Sequence, residues 1–400
     1  MKSLVTVPLY DTLGDEAVEF ICRQAEMKTI IVSGNKIQLF MKIKERVETL
    51  KTIISLDPIS AEDASKATRL SINLLYFADV EKNGEKNPSA EIPPKPTDLA
   101  VICYTSGTTG LPKGVMLTHG SILAAVSGVM LLTKYDYAIG LCADDVHLSY
   151  LPLAHVFERV VVQALLAFGA RIGFYQGDTL KLLEDVVALK PTVFVSVPRL
   201  FNRIYDKVMS GVKAKGGIAQ MLFNHAYASK KRHLEEGRLT HWLWDSLVFG
   251  SIRAKLGGKL RCMVTGSAPI SPQVLDFLRI CFSCEVYEGY GQTETSAASC
   301  LTQKGDWTSG HVGIPSPCNE IKLVDIPEMS YTSNDKPYPR GEVCFRGPSC
   351  FTGYYKDEEK TREALDKDHW VHSGDVGMWD DAGRLQIIDR KKKYPVCLNF

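Results

Sequence analysis

The stretch TSGTTGLPKG, residues 105–114, decides the reading of this chain, because it follows the apolar run Leu99–Tyr104 and precedes a helical pattern beginning near His119. Its glycines, Gly107, Gly110 and Gly114, let a backbone fold tightly enough for several N–H groups to converge on an anion. The hydroxyls of Thr105, Ser106, Thr108 and Thr109 add donors, and Lys113 adds a movable cation suited to a triphosphate. A solvated polar turn has a similar composition. The strand-like run ahead of it and the lysine within it favour a phosphate-binding loop. The pattern is not GxxxxGK[ST], since Lys113 is followed by Gly114, so a P-loop NTPase or kinase is disfavoured.

Outward from this loop, residues 99 to 290 alternate short β-branched runs with helical stretches, which predicts an α/β fold with a doubly wound parallel sheet. Strands are expected at Ala100–Thr105, His147–Leu151, Arg171–Tyr175, Thr192–Val197, Leu260–Thr265 and Cys284–Glu288, and helices at Gly120–Lys134, Thr179–Leu189 and Ser271–Phe282. In such a sheet, active groups gather at the carboxyl ends of the strands, where GSAP (266–269) and YGQTE (290–294) fall. Beyond Ala298 the pattern shifts to strands and turns, with Glu320–Val324, Glu342–Arg346 and Leu385–Ile388 predicting a small β-rich subdomain. The proline-rich Pro88–Pro96 reads as a surface loop. HWLWDSLVF (241–249) reads as core packing or acyl-pocket lining, and the cluster Lys230, Lys231 and Arg232 as a solvated helix face.

Bulk properties narrow the function classes. A formal net charge of +1 supplies no field for nucleic acid or an anionic membrane surface. Eleven cysteines are mostly scattered singly; Cys281 and Cys284 have CxxC spacing but no second pair, so reduced, buried thiols are expected rather than zinc. No window approaches the roughly 18 apolar residues of a membrane span. The apolar stretch 160–170, flanked by Arg159 and Arg171, reads as a core helix.

YTSGTTGLPKGVMLTH (104–119) resembles the signature of the adenylate-forming enzymes, which activate carboxylates as acyl-AMP. Further blocks resemble the long-chain acyl-CoA synthetases: DDVHLSYLPLAHVFERV (144–160), VTGSAPISPQVLDFLR (264–279), VYEGYGQTE (286–294), GDWTSGHVG (305–313) and DHWVHSGDVGMWDDAGRLQIIDRKK (368–392). The resemblance implies an adenylate-forming large domain, its α/β part at 1–298 and its β-rich subdomain at 299–389, with 390–400 as hinge remnant and tail. It implies ATP, Mg²⁺ and CoA as cofactor and co-substrates, a long-chain fatty acid as substrate, and no nucleic-acid partner. For complete relatives it implies membrane association, at the cytosolic face of the endoplasmic reticulum or the mitochondrial outer membrane, and it leaves a homo-oligomer open.

Activation requires a carboxylate to attack the α-phosphate of ATP, so negative charge must be gathered and held. Glu294, a hard carboxylate on a strand-end loop, is the best Mg²⁺ candidate, and the resemblance adds Thr105. Tyr290 offers a flat aromatic face, and Gly266, Ser267 and Ala268 allow close approach; by resemblance they sandwich adenine, with Gln292 and Thr293 on the same loop. By resemblance Asp375 accepts from the ribose hydroxyls, and Arg390, after Asp389, lies at a hinge and serves the nucleotide. Lys113 serves the phosphates in catalysis. His155 reads as a core histidine, a gate or a carboxylate contact, and Phe157 as core or acyl-channel lining.

The match stops after Lys392, with Val396 where the family has a further lysine, and no C-terminal small domain follows. A truncated synthetase is therefore expected, its function long-chain fatty acid activation to acyl-CoA with release of AMP and pyrophosphate. The rival is a non-catalytic isoform that binds ATP or fatty acid and regulates full-length partners.

Overall fold

The computed structural model describes residues 3–106 and 111–391. Gly107, Thr108, Thr109 and Gly110 of the phosphate loop, and Lys392, Val396 and the rest of the tail, lie outside the described residues. The chain divides into two compact units, one running to His119 and taking in Thr352–Thr361, the other holding Gly120–Phe351 and the segment from Arg362 onward.

In the first unit, β1 (Thr29–Val32), β2 (Thr52–Ser55) and β3 (Asn73–Tyr76) form a parallel sheet in that order. The runs TIIV and TIIS are β-branched, and each buries every second residue. Helix Ala61–Arg69 joins β2 to β3; it is capped by Ser60, whose Oγ accepts from Asp63 N at 3.0 Å. The sequence pattern predicts no element over residues 15–87, because strands of four residues are too short to show a period, even though Ser33-Gly34-Asn35 and Asp57-Pro58 punctuate the ends of β1 and β2.

The phosphate-loop strand β4 (Leu99–Thr105) departs from expectation. It does not join a parallel sheet but pairs antiparallel with β5 (Lys113–Thr118), in register Thr105↔Lys113 and Tyr104↔Gly114. Thr105 and Lys113, on either side of the loop, thus pair across two antiparallel strands, and helix His119–Lys134 begins only after β5. Gly114 does not serve a tight turn either: a Cβ there would lie 2.8 Å from Ile102 Cγ2 and 3.0 Å from the Tyr104 ring. Its missing side chain makes room for the tyrosine across the ladder.

The second unit holds the doubly wound sheet. Its strands are β6 (Val146–Ser149), β7 (Arg171–Phe174), β8 (Val193–Ser196), β9 (Cys262–Thr265), β10 (Glu285–Tyr290), β11 (Cys300–Leu301) and β12 (Ile314–Pro315), ordered β12-β11-β10-β9-β8-β6-β7. The pairs from β7 to β10 are parallel, while β11 and β12 add antiparallel. The expected helix Thr179–Leu189 begins at Leu182, because Asp178 Oδ1 accepts from Leu180 N at 2.9 Å and holds the chain in a turn first. The helix expected at Ser271–Phe282 runs Pro272–Phe282, with Ser271 as its cap and Pro272 in its first turn. A four-stranded antiparallel sheet follows: β13 (Glu320–Val324), β14 (Arg340–Arg346), β15 (Val371–Trp379) and β16 (Leu385–Arg390).

One face of the large sheet packs Leu148, Phe194, Met263 and Val286 against Phe201, Phe249 and Phe277 of the covering helices. Each fully buried phenylalanine contributes about 1.5–3 kcal/mol of transfer free energy. Of HWLWDSLVF, Phe249 enters this core, whereas Trp242 and Leu247 are exposed. Lys230 corrects the reading of a solvated basic face. It is 1% exposed, and its Nζ donates to Asp245 Oδ1 at 2.6 Å, Ile280 O at 2.7 Å and Ser283 Oγ at 2.7 Å. Nine of the ten cysteines among the described residues are buried or half-buried, and all ten are free; burial pushes Cys22 and Cys262 up to about 12. No helix of the described residues is long and apolar enough to cross a membrane.

Candidate active site

In the first unit, Thr105 and Lys113 face each other as register partners where β4 ends and β5 begins, with Ser106 exposed beyond them. Lys113 Nζ donates to Tyr354 Oη at 3.0 Å and lies 4.4 Å from the centre of that ring. Tyr354 thus parks the lysine in a defined position at the loop. Sequence reasoning missed this tyrosine, since 241 positions separate it from Lys113.

In the second unit the neighbouring strands β9 and β10 deliver two loops from their carboxyl ends. Gly266, Ser267 and Ala268 follow β9, with Gly266 buried, Ala268 half-buried and Ser267 exposed at a left-handed φ of 69°. A Cβ on Gly266 would lie 3.2 Å from Gly289 O and 3.5 Å from the Phe157 ring, so glycine lets the two strand ends and the ring close up. Tyr290 ends β10, and Gln292, Thr293 and Glu294 run into a 3₁₀ turn, Thr293–Thr295, whose start is tied by Gln292 N donating to Thr295 Oγ1 at 3.1 Å. Phe351 N donates to Glu294 O at 2.8 Å, which fixes the half-buried Glu294 backbone.

These residues converge on Asp375, which is 3% exposed. Its Oδ2 accepts from Tyr290 Oη at 2.7 Å and Gln292 Nε2 at 3.2 Å, and its Oδ1 from Arg390 Nε at 2.7 Å. Gln292 Nε2 also donates to Ser373 O at 2.9 Å. Burial and the neighbouring Asp375 carboxylate push the Tyr290 hydroxyl well above its usual range, so it stays a donor. Asp375 reaches this position through a register shift in β15: Glu342↔Val376 is followed by Cys344↔His372, and Gly374 takes a φ of 72°. Glu342, 4% exposed, accepts from Gly374 N at 3.1 Å and so braces the turn. The sequence gives no local signal for Glu342, which lies 32 positions from Gly374.

Phe157 lines an apolar cavity, and His155 stands two positions before it at the start of the same helix. His155 caps helix Val156–Ala167, its Nδ1 accepting from Phe157 N at 3.2 Å, and burial holds the imidazole below its usual range, so it is neutral at pH 7. Phe157, Val160, Val161 and Ala164 of that helix, with Val264 and Gly289, line a cavity of about 80 Å³. Its one hydroxyl-bearing residue is Ser316, so the lining suits hydrocarbon. Phe157 belongs both to this cavity and to the Gly266 contact, and so joins the apolar space to the strand-end loops.

The family model described as AMP-binding enzyme matches residues 1–355. The chain belongs to the AMP-binding enzyme family. It is 47% identical over 390 residues to "Long chain acyl-CoA synthetase 6, peroxisomal" of Arabidopsis thaliana, covering 98% of this chain and 55% of the relative. It is 47% identical over 394 residues to "Long-chain-fatty-acid--CoA ligase 6" of Homo sapiens, covering 98% of this chain and 56% of the relative. The chain thus spans somewhat over half the length of these AMP-binding relatives. Among solved structures, the adenylation domain of a carboxylate reductase from Mycobacterium chelonae superposes with a TM-score of 0.75 at 23% identity, covering 97% of this chain and 57% of that one. The A-PCP didomain of a carboxylic acid reductase from Segniliparus rugosus, in complex with AMP, gives 0.76 at 24% identity, covering 97% and 52%. Both share the fold of this AMP-binding chain.

Proposed function

We propose that this chain serves ATP-dependent activation of long-chain fatty acids, through acyl-AMP to acyl-CoA. The observation that carries the reading is the buried Asp375 carboxylate, held by Tyr290, Gln292 and Arg390, in the unit that also holds a hydrocarbon-lined cavity walled by Phe157. The names of relatives at 45–48% identity support the same chemistry.

In this reading a fatty carboxylate oxygen bonds to the α-phosphorus of ATP while the α–β phosphoanhydride bond breaks and pyrophosphate leaves. The CoA sulfur then bonds to the acyl carbon, and AMP departs with the electron pair of the acyl–oxygen bond. Lys113, Thr105 and Ser106 hold phosphate oxygens, and Tyr354 keeps the lysine extended toward them. Tyr290 stacks adenine against Gly266, Ser267 and Ala268, with Gln292 and Thr293 on the adjoining loop. Asp375 accepts the ribose hydroxyls, and Arg390 acts beside it at a hinge. Glu294, an oxygen donor on a fixed turn, suits Mg²⁺, and the family resemblance gives Thr105 a part in the same role; such an ion would supply charge neutralisation on the phosphates. Neutral His155 and Phe157 border the entry of the acyl chain. Location at the cytosolic face of the endoplasmic reticulum or mitochondrial outer membrane, membrane association and a homo-oligomer belong to the same proposal, resting on the family resemblance; the two Arabidopsis relatives are named peroxisomal.

The test is AMP formation by the purified chain with ATP, CoA and Mg²⁺. Palmitate-dependent AMP and palmitoyl-CoA in equal amounts support the reading, and AMP formation indifferent to fatty acid opposes it.

A further inference from the structure

Apart from the nucleotide residues, one cluster among the described residues brings three metal-ligating side chains together: Glu342 and Cys344 on β14 and His372 on β15. The sheet itself makes this juxtaposition. Glu342 and Cys344 are two apart on one strand and share a face, and Cys344 is the register partner of His372. Their ligand atoms all lie within 4.8 Å of one another. His372 Nδ1 is 3.5 Å from Cys344 Sγ and 3.1 Å from Glu342 Oε2. Tetrahedral zinc with bonds of about 2.3 Å to sulfur and about 2.0–2.1 Å to nitrogen and oxygen sets its ligand atoms roughly 3.3–3.6 Å apart, so two of the three separations need almost no adjustment.

Two further features fit a metal. The other ring nitrogen of His372 lies 3.6 Å from Asp366 Oδ2, the carboxylate–histidine arrangement that orients a metal-bound imidazole. Glu342 and Cys344 are 4% and 0% exposed, while His372 is half-buried and leaves a path from solvent. Lys391 Nζ lies 3.4 Å from Glu342 Oε2 and 3.9 Å from Glu328 Oε1, and its part-exposed side chain gives it this second carboxylate when an ion takes Glu342.

We propose that Glu342, Cys344 and His372 form a binding site for a thiophilic divalent cation of the zinc class, with a fourth position open to water. Binding displaces the thiol proton of Cys344 and the ring proton that His372 directs at Glu342, both released to solvent. Because Glu342 Oε1 already accepts from Gly374 N, an ion on Oε2 would lock the brace beneath Asp375. The site sits outside the nucleotide contacts and does not depend on the proposed reaction.

The test is titration of the chain with Co²⁺ and Zn²⁺ in a Cys142→Ser, Cys397→Ser background, which removes the exposed thiol and the one outside the described residues. One Co²⁺ per chain with a thiolate-to-cobalt charge-transfer band is expected, with the band absent in Cys344→Ser. Affinity should fall more than tenfold in His372→Gln and roughly 10–100-fold in Asp366→Asn, which touches only the ring. Zinc should raise the melting temperature of the parent and not of Cys344→Ser. Metal-free melting curves establish that each variant is folded; should Cys344→Ser not fold, the other two variants decide. No thiolate band in the parent, or cobalt affinity unchanged in His372→Gln and Asp366→Asn, overturns the proposal.

Discussion

Glu288 sits on β10 two residues before Tyr290, 8% exposed, and its carboxyl has no hydrogen-bond partner among the described residues; only its backbone pairs with Thr302. Burial raises it to about 7, with Arg279 offsetting part of that effect. A carboxyl whose folded value lies above its unfolded value of 4.5 binds more protons folded than unfolded, so stability falls as pH rises between roughly 4.5 and 7 and stays low above. Each unit of difference is worth about 1.4 kcal/mol, which makes the full penalty about 3 kcal/mol above pH 7 and about 1 kcal/mol at pH 5. Glu288→Gln removes the charge and keeps the shape. Urea unfolding of parent and variant at pH 5 and pH 8 should show the variant gaining roughly 2–3 kcal/mol of relative stability between the two pH values. A difference between the two proteins that does not change with pH would refute the assignment of the raised value to burial.

Other perturbations probe separate parts of the account. Lys230→Ala leaves Asp245 without its ammonium partner in the core and should cost about 3–5 kcal/mol in urea unfolding, where a solvated lysine would cost almost nothing. Tyr290→Phe deletes the donor to Asp375 Oδ2 and should raise the KM for ATP about 5- to 10-fold, in keeping with about 1–1.5 kcal/mol for a hydrogen bond; an unchanged KM shows that the hydroxyl's hold on Asp375 does not serve ATP binding. Ala164→Phe fills the apolar cavity and should lower the palmitate-to-octanoate ratio of kcat/KM at least tenfold, at about 0.8 kcal/mol for each methylene excluded. An unchanged ratio places the acyl chain elsewhere.

The alternation of β-branched runs and helical stretches made β6 to β10 legible, because buried parallel strands need continuous apolar runs and short helical returns. It misassigned β4, since an apolar run of that length reads the same whether its partner is parallel or antiparallel, and the pairing with β5 is decided across the loop. Asp375 and Arg390 are singled out only by the resemblance of their motifs, and they meet because β15 pairs with β16 in the register Asp375↔Arg390, with a shift between Val376 and Gly377 that no local pattern encodes. Lys230 shows the same limit: beside Lys231 and Arg232 it reads as solvated, and only the fold brings Asp245 and Ser283 to it. Tyr354 and Glu342 are long-range partners of named site residues, found by geometry alone.

The most direct test of the central claim is exchange of labelled pyrophosphate into ATP by the purified chain with Mg²⁺ and palmitate, which reports acyl-AMP formation without CoA. The account predicts exchange that rises with palmitate and is lost in Glu294→Ala. Absence of exchange from a folded sample, or exchange that proceeds equally without fatty acid, contradicts it.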